Sequence, residues 1–265
     1  MAGKHLQTIS IMTQNKDRRF RFVSFCLGIV LILALIHIGG ILRGNRVVFP
    51  KLSEIGDALF RLLSRGTTYA MISTTMIHLL ESLAVSMFVG VIAGIAEGLS
   101  DRIRNFLAPF MILIRSLPMI VLVILIMTTF SYTFVPVMAA SLILIPMISE
   151  AASEGCRRIE PEMIDVFRMN SGLNIRVMTY VYLPMISGYL KQSFFNAAGM
   201  GLKVVVSAEY LVQTRNSLGK AVYSSSYFNE YGEIYAYALI MILLVLIVTE
   251  IPAMFLRKLK NTTNS

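Results

Sequence analysis

From Ser116 to Ser149 not one residue carries a formal charge. Wound as a single α-helix, at about 1.5 Å per residue, this stretch would run to roughly 50 Å. A bilayer's hydrocarbon core is only about 30 Å deep. The stretch must therefore turn back. The polar run Thr128-Thr129-Phe130-Ser131-Tyr132-Thr133 is the natural tip of a hairpin. One span is then expected at about 106–127 and the next at about 134–152.

Composition agrees with a membrane setting. Hydrophobic residues make up 56% of the 265 and charged residues 15%, against about 45–50% and about 25% in soluble proteins. Mean hydropathy is +0.70. Too little polar surface remains to coat a soluble globule, which excludes a soluble enzyme. Four further apolar stretches follow from the same count: Phe22–Leu42, Met71–Leu99, Pro184–Val212 and Ile234–Leu256. Phe22–Leu42 is too long for a signal-peptide core and has no small-residue cleavage site, so it is expected to stay as a span. Between the first two, Val48-Phe49-Pro50 breaks the chain. Leu52, Ile55, Leu59, Leu62 and Leu63 then recur at helical spacing, the pattern of a short amphipathic helix lying at the outer surface. The expected fold is all-α, a polytopic membrane protein with six transmembrane helices. Residues 1–21 and 257–265 are tails, and 22–256 form the membrane domain.

The net charge of +9 does not point to nucleic acid, because the basic residues punctuate apolar runs instead of forming a basic face. With a cytosolic N-terminus, the inside segments hold fourteen Lys and Arg: five before residue 22, two at 101–105, four at 153–182 and three after 256. The outside segments hold seven: Arg43, Arg46, Lys51, Arg61, Arg65, Arg215 and Lys220. This bias places both termini in the cytosol and the chain, multi-pass, in the cytoplasmic membrane. The two cysteines, Cys26 and Cys156, suit neither a disulfide framework nor a metal cluster.

Charges within spans cost about 2.5–3.5 kcal/mol at the bilayer centre on insertion scales, so each marks a functional candidate. Glu81 and Arg115 lie at similar depth and can pair, or Arg115 can face a translocation path. Lys203 and Glu209 are six residues apart, too far for an i,i+4 pair, so each needs a partner elsewhere. Glu81, Arg115, Lys203 and Glu209 are the path candidates, and Lys191 with Lys203 hints at an anionic solute. Gly90, Gly94 and Gly98 form one small-residue face suited to close helix packing. The external run Ser224–Tyr231 fits either a docking surface or an interfacial tyrosine belt.

The cytosolic loop 153–183 carries the most specific pattern. Pro161 can open a helix with Glu160 and Glu162 at its positive end. Ser171-Gly172 breaks it, Asn174 can cap a second helix, and Pro184 ends that one. Such a helix–Gly–helix between two spans can transmit a push into the membrane. Asp165-Val166-Phe167-Arg168-Met169-Asn170-Ser171 stands where a permease motif reads E-A-A-x-x-x-G, with Gly172 one place late. Nine residues on, Val181-Tyr182-Leu183-Pro184 matches I-x-L-P. With Ile77–Leu83, Leu107-Ala108-Pro109, Leu113–Pro118 and Val204–Glu209, the chain over about 50–256 resembles the nitrate/sulfonate/taurine type of ABC importer permease.

That resemblance implies a type I-like permease fold and a second permease copy as homodimer. It also implies two copies of a separate ABC ATPase and an extracytoplasmic substrate-binding protein. Coupling would run through Asp165, Arg168, Ser171, Gly172, Leu173, Asn174, Leu183 and Pro184. The solute would be small: an anion such as a sulfonate or nitrate, or a vitamin precursor. No P-loop is expected to bind ATP in this chain. Gly3-Lys4 lies too near the start, and Gly219-Lys220 is preceded by Thr214 where the first Gly should stand. ATP would be bound by the partner subunit, and no catalytic residue, metal or cofactor is expected here. Two rivals remain. An ion-coupled secondary transporter or channel acting without an ATPase would use Glu81 and Glu209. An intramembrane enzyme lacks a constellation, since His37 and His78 stand isolated in spans and His5 in the tail.

Overall fold

The computed structural model describes residues 50–159, 162 and 178–263. The chain divides into two compact units, residues 1–57 and 58–265, and the core described below belongs to the second. Among the described residues the elements are all helical.

Helix α1, Leu52–Ser64, has Glu54 in its first turn and Arg61 in its last, which suits the helix dipole. Ala58 and Leu62, one turn apart, are its buried residues. The expected amphipathic helix is therefore present. After Arg65, whose backbone is extended, α2 runs unbroken over Gly66–Leu99. Ser100 is extended in turn, and α3 covers Asp101–Ser116.

The next element corrects the sequence reading. In place of one span at 106–127, the chain breaks at Leu117-Pro118, and α4 begins at Met119 and ends at Thr129. The two helices meet at 105°. The cause is local: a residue before proline is pushed out of the helical region, and Leu117 is extended, with φ −71° and ψ 128°. The hairpin tip falls where expected, at Ser131–Phe134, before α5 (Val135–Arg157). A π-helical turn, Met178–Tyr182, leads into α6 (Leu183–Val212). Gln213 closes α6 in the left-handed region. Then come α7 (Leu218–Tyr227), capped by the Ser217 hydroxyl, and α8 (Tyr231–Thr263).

Three described helices are long and apolar enough to cross a bilayer: α2, α5 and residues 231–250 of α8. The bent α3–α4 pair makes a fourth if it counts as one span. The expected six are not reached. Phe22–Leu42 lies outside the described residues, and α6, although 30 residues long, is too polar along one face to pass as apolar.

Helices α2 and α5 pack through the glycine ladder. A Cβ on Gly94 would stand 2.3 Å from the Ser149 carbonyl oxygen and 2.6 Å from the Ala152 Cβ. Gly90 and Gly98 meet Ile148 and Cys156 in the same way. In lipid, where apolar burial drives little, this close backbone approach is what holds helices together. Helix α6 joins the pair through Gly201, which faces Leu79 and Leu144. Leu79, Leu83, Leu144, Ile148, Ala197 and Leu202 form the centre of the core.

Candidate functional site

Helix α6 has two faces. Ile186, Leu190, Ser193, Ala197, Val205 and Ala208 recur at helical spacing and are buried against α2 and α5. Gln192, Asn196, Lys203 and Ser207 recur at the same spacing on the opposite side and are exposed, with half-buried Tyr210 continuing the line. This polar stripe runs about 22 Å along the helix. Gln192 donates to the Asn196 side chain at 3.2 Å, and the Ser207 hydroxyl donates back to the Lys203 carbonyl at 2.8 Å. The Lys203 ammonium has no partner among the described residues. It flanks a groove of about 450 Å³ between α6 and α8, lined by Val206, Met241, Ile242 and Val245.

Glu209, six residues on, is treated in the opposite way. Its side chain is fully buried. One oxygen accepts from the Thr75 hydroxyl at 2.9 Å and from the Gly219 amide at 3.2 Å. The other lies 2.7 Å from His78 Nδ1. Thr75 in turn accepts from the Leu218 amide at 3.0 Å. A single carboxylate thus ties α2, α6 and the amino end of α7 together, where the exposed amides of a helix start favour an anion. Gly219 is required for this approach: a Cβ there would lie 2.5 Å from the Glu209 Cβ. Placed so, Glu209 offers no surface to a solute. His78, which looked isolated in sequence, is its partner. The signal was the rule that a buried charge must be paired, although sequence alone does not say by what.

Glu81 and Arg115 are not brought together. Glu81 is exposed and without a partner among the described residues. Arg115 donates to Glu150 at 2.8 Å and to the Pro146 carbonyl at 2.8 Å. Because the chain bends at Leu117-Pro118, Arg115 sits in the last turn of α3 against α5, not in the middle of a straight span.

Around that pair, α2, α3 and α5 enclose a charged cleft of about 490 Å³ that includes Glu97, Arg104, Arg115 and Glu150. Of the coupling residues, Leu183 and Pro184 form the first turn of α6, with Leu183 half-exposed. Asp165, Arg168, Ser171, Gly172, Leu173 and Asn174 lie outside the described residues. At the other end of α6, Tyr210, Tyr223, Tyr227 and Phe228 form a chain of ring contacts at 5.3–6.4 Å. Among the described residues no group of His, Cys, Asp and Glu is placed to hold a metal ion.

No curated protein matches the chain. In fold it is similar to one chain of the crystal structure of an amino acid ABC transporter with histidines. The TM-score is 0.55 at 18% identity, covering 72% of this chain and 94% of that one. Residues 86–261, well over half of the chain and including the glycine ladder, the charged cleft and all of α6, match the model of one family. The chain belongs to the binding-protein-dependent transport system inner membrane components, the permeases of ABC importers.

Proposed function

We propose that this permease moves a small anionic solute across the cytoplasmic membrane along the polar stripe of α6. The observation that carries the reading is the unpartnered ammonium of Lys203, exposed within that stripe on a membrane helix. A cation held there without a counter-ion is costly, and an anionic group passing along the stripe offsets that cost. Gln192, Asn196 and Ser207 supply neutral hydrogen-bonding groups above and below it. Sulfonates, nitrate and carboxylates all fit this chemistry.

Permeases of this family work with a separate ATPase and a substrate-binding protein. In our reading the ATPase is present in two copies and the permease pairs with a second copy of itself. Both termini are cytosolic, and the push of ATP binding enters through segment 153–183. Asp165, Arg168, Ser171, Gly172, Leu173 and Asn174 engage the ATPase, and Leu183 and Pro184 pass the movement directly into α6. ATP is held by the partner, and this chain does no bond chemistry. Glu81 stays a second path candidate because it is exposed and unpaired. Arg115 and Glu209 are already committed to internal partners.

The test is ATP-driven uptake by the reconstituted complex, comparing labelled taurine, nitrate, glutamate and a neutral sugar. Lys203→Gln should lower uptake of the transported anion about tenfold while ATP hydrolysis and assembly persist. Unchanged uptake in that variant would refute the role of Lys203. Uptake of the sugar alone would refute the anionic reading. Uptake that persists without the ATPase would favour an ion-coupled carrier.

A further inference from the structure

The charged cleft between α2, α3 and α5 is not used by the transport route along α6, and its charges are unevenly satisfied. Arg115 is paired with Glu150. Arg157 and Arg158 are paired at 2.7 Å with Asp101 and Glu154. Two groups are left over. The Arg104 guanidinium, exposed on the cleft wall, makes no side-chain hydrogen bond or ion pair among the described residues, although its charge reaches Glu97. Glu97 is only 8% exposed, and its Oε1 has no hydrogen-bond partner. The buried Ser149 hydroxyl beside it makes no bond of standard geometry and is a side-chain donor within reach of Glu97. Turned toward Glu97, it could donate one hydrogen bond, whereas an ionised carboxylate has about four acceptor positions. The cleft therefore presents a buried acceptor short of hydrogen-bond donors and, on its wall, a cation close enough to attract that acceptor's charge but not hydrogen-bonded to it.

The helix that forms the wall adds a second constraint. Arg104, Ala108, Met111 and Arg115 fall at i, i+4, i+7 and i+11 and line the cleft. Phe106, Phe110 and Leu113 stand on the other side of α3, 57–69% exposed, and Ile112 at the cleft's rim is 63% exposed. Helix α3 buries none of its own residues. A helix with an apolar outer stripe and basic residues beside it lies in the headgroup region of a bilayer.

We propose that the cleft binds the headgroup of an aminophospholipid, with its primary ammonium donating to Glu97 and its phosphate pairing with Arg104. The acyl chains pass over Ile112 onto the outer stripe of α3. The chemistry discriminates sharply. A trimethylated choline nitrogen has no N–H to offer Glu97, and a glycerol headgroup brings no cation to it.

The test uses the full chain, extracted with its bound partners in mild detergent and exchanged into nanodiscs of equal phosphatidylethanolamine and phosphatidylcholine. Lipid that stays bound is counted by native mass spectrometry. Ethanolamine lipid should be retained over choline lipid by about tenfold, the scale of one charge-assisted hydrogen bond. Arg104→Gln, which alters only an exposed side chain, should abolish retention of both lipids. Glu97→Gln should abolish the preference between them. Equal retention of the two lipids by the wild type would overturn the proposal. So would stronger retention of phosphatidylglycerol in a parallel disc. Displacement of the lipid by soluble phosphoethanolamine at millimolar concentration would overturn the lipid as source.

Discussion

Lys203 and Glu209 lie six residues apart on the same helix, α6, and the structure treats them in opposite ways. Glu209 turns inward and meets three donors on α2 and α7. Lys203 turns outward and meets none among the described residues. A charge inside a membrane span carries an insertion cost unless it is met by a partner. In one case the charge is met inside the fold, and in the other no described residue meets it. An intramembrane charge is therefore not by itself a transport residue. Its partners decide whether it serves architecture or function.

The largest effect should come from breaking the inward charge. Glu209→Leu leaves the Thr75 hydroxyl, His78 and the Gly219 amide buried without an acceptor. Removing one partner of a buried charged cluster costs about 3–5 kcal/mol. The variant should lose most folded protein in detergent, seen as a void-volume peak in size-exclusion chromatography. Glu209→Gln, which keeps an acceptor, should recover part of the yield. A Glu209→Leu protein of wild-type thermal stability would mean that the clamp does not hold α7.

Next in size is the glycine seam. Gly94→Leu forces a side chain into a gap whose nearest atom is a backbone oxygen 2.3 Å from the ideal Cβ. Backbone cannot move aside as a side chain can, so the cost should reach or exceed the usual 1–3 kcal/mol of overpacking, by about 1 kcal/mol at most. Thermal unfolding of the purified complex reads it directly. Gly56→Ala, with nothing within 4 Å of its Cβ, is the control: inside α1 it should cost nothing and can add up to about 1 kcal/mol of helix stability.

What could be read from sequence divides along the same line. The three glycines at spacing four can face only one neighbour, and they do. The polar run near Ser131 marked the hairpin because no helix as long as 116–149 fits a bilayer. Pro118 stood in plain view, yet the apolar count outweighed it, so the 105° bend was missed. The Glu209 clamp was beyond reach for a different reason. Its two side-chain partners lie 131 and 134 residues away, and nothing local to Thr75 or His78 points to α6. Lys203 could be singled out as a candidate. Its lack of a partner emerged only once the neighbouring helices were in place.

The outward charge should respond in the reverse sense. Lys203→Gln removes an exposed ammonium with no hydrogen-bond or ion-pair partner among the described residues, so stability should stay within about 0.5 kcal/mol of the parent. Transport is where the change should show. Lys203→Glu goes further by reversing the sign of the stripe and should suppress anion uptake more strongly than Lys203→Gln. If the two variants are equally impaired, Lys203 acts through shape and not through charge.

The smallest effect tests a pair that lies between the two extremes. Arg115 and Glu150 form an ion pair at 2.8 Å, but their side chains remain 46% and 65% exposed. Exposed pairs contribute only about 0.2–1 kcal/mol, because water already solvates both partners. Arg115 also donates to the Pro146 carbonyl, a bond that Glu150→Gln leaves intact. A double-mutant cycle of Arg115→Gln and Glu150→Gln, read by thermal unfolding, should therefore give a coupling of about 1 kcal/mol or less. A coupling of 2 kcal/mol or more would mean that this face is desolvated in the assembled transporter. The pair would then belong with Glu209 among the charges satisfied inside the protein.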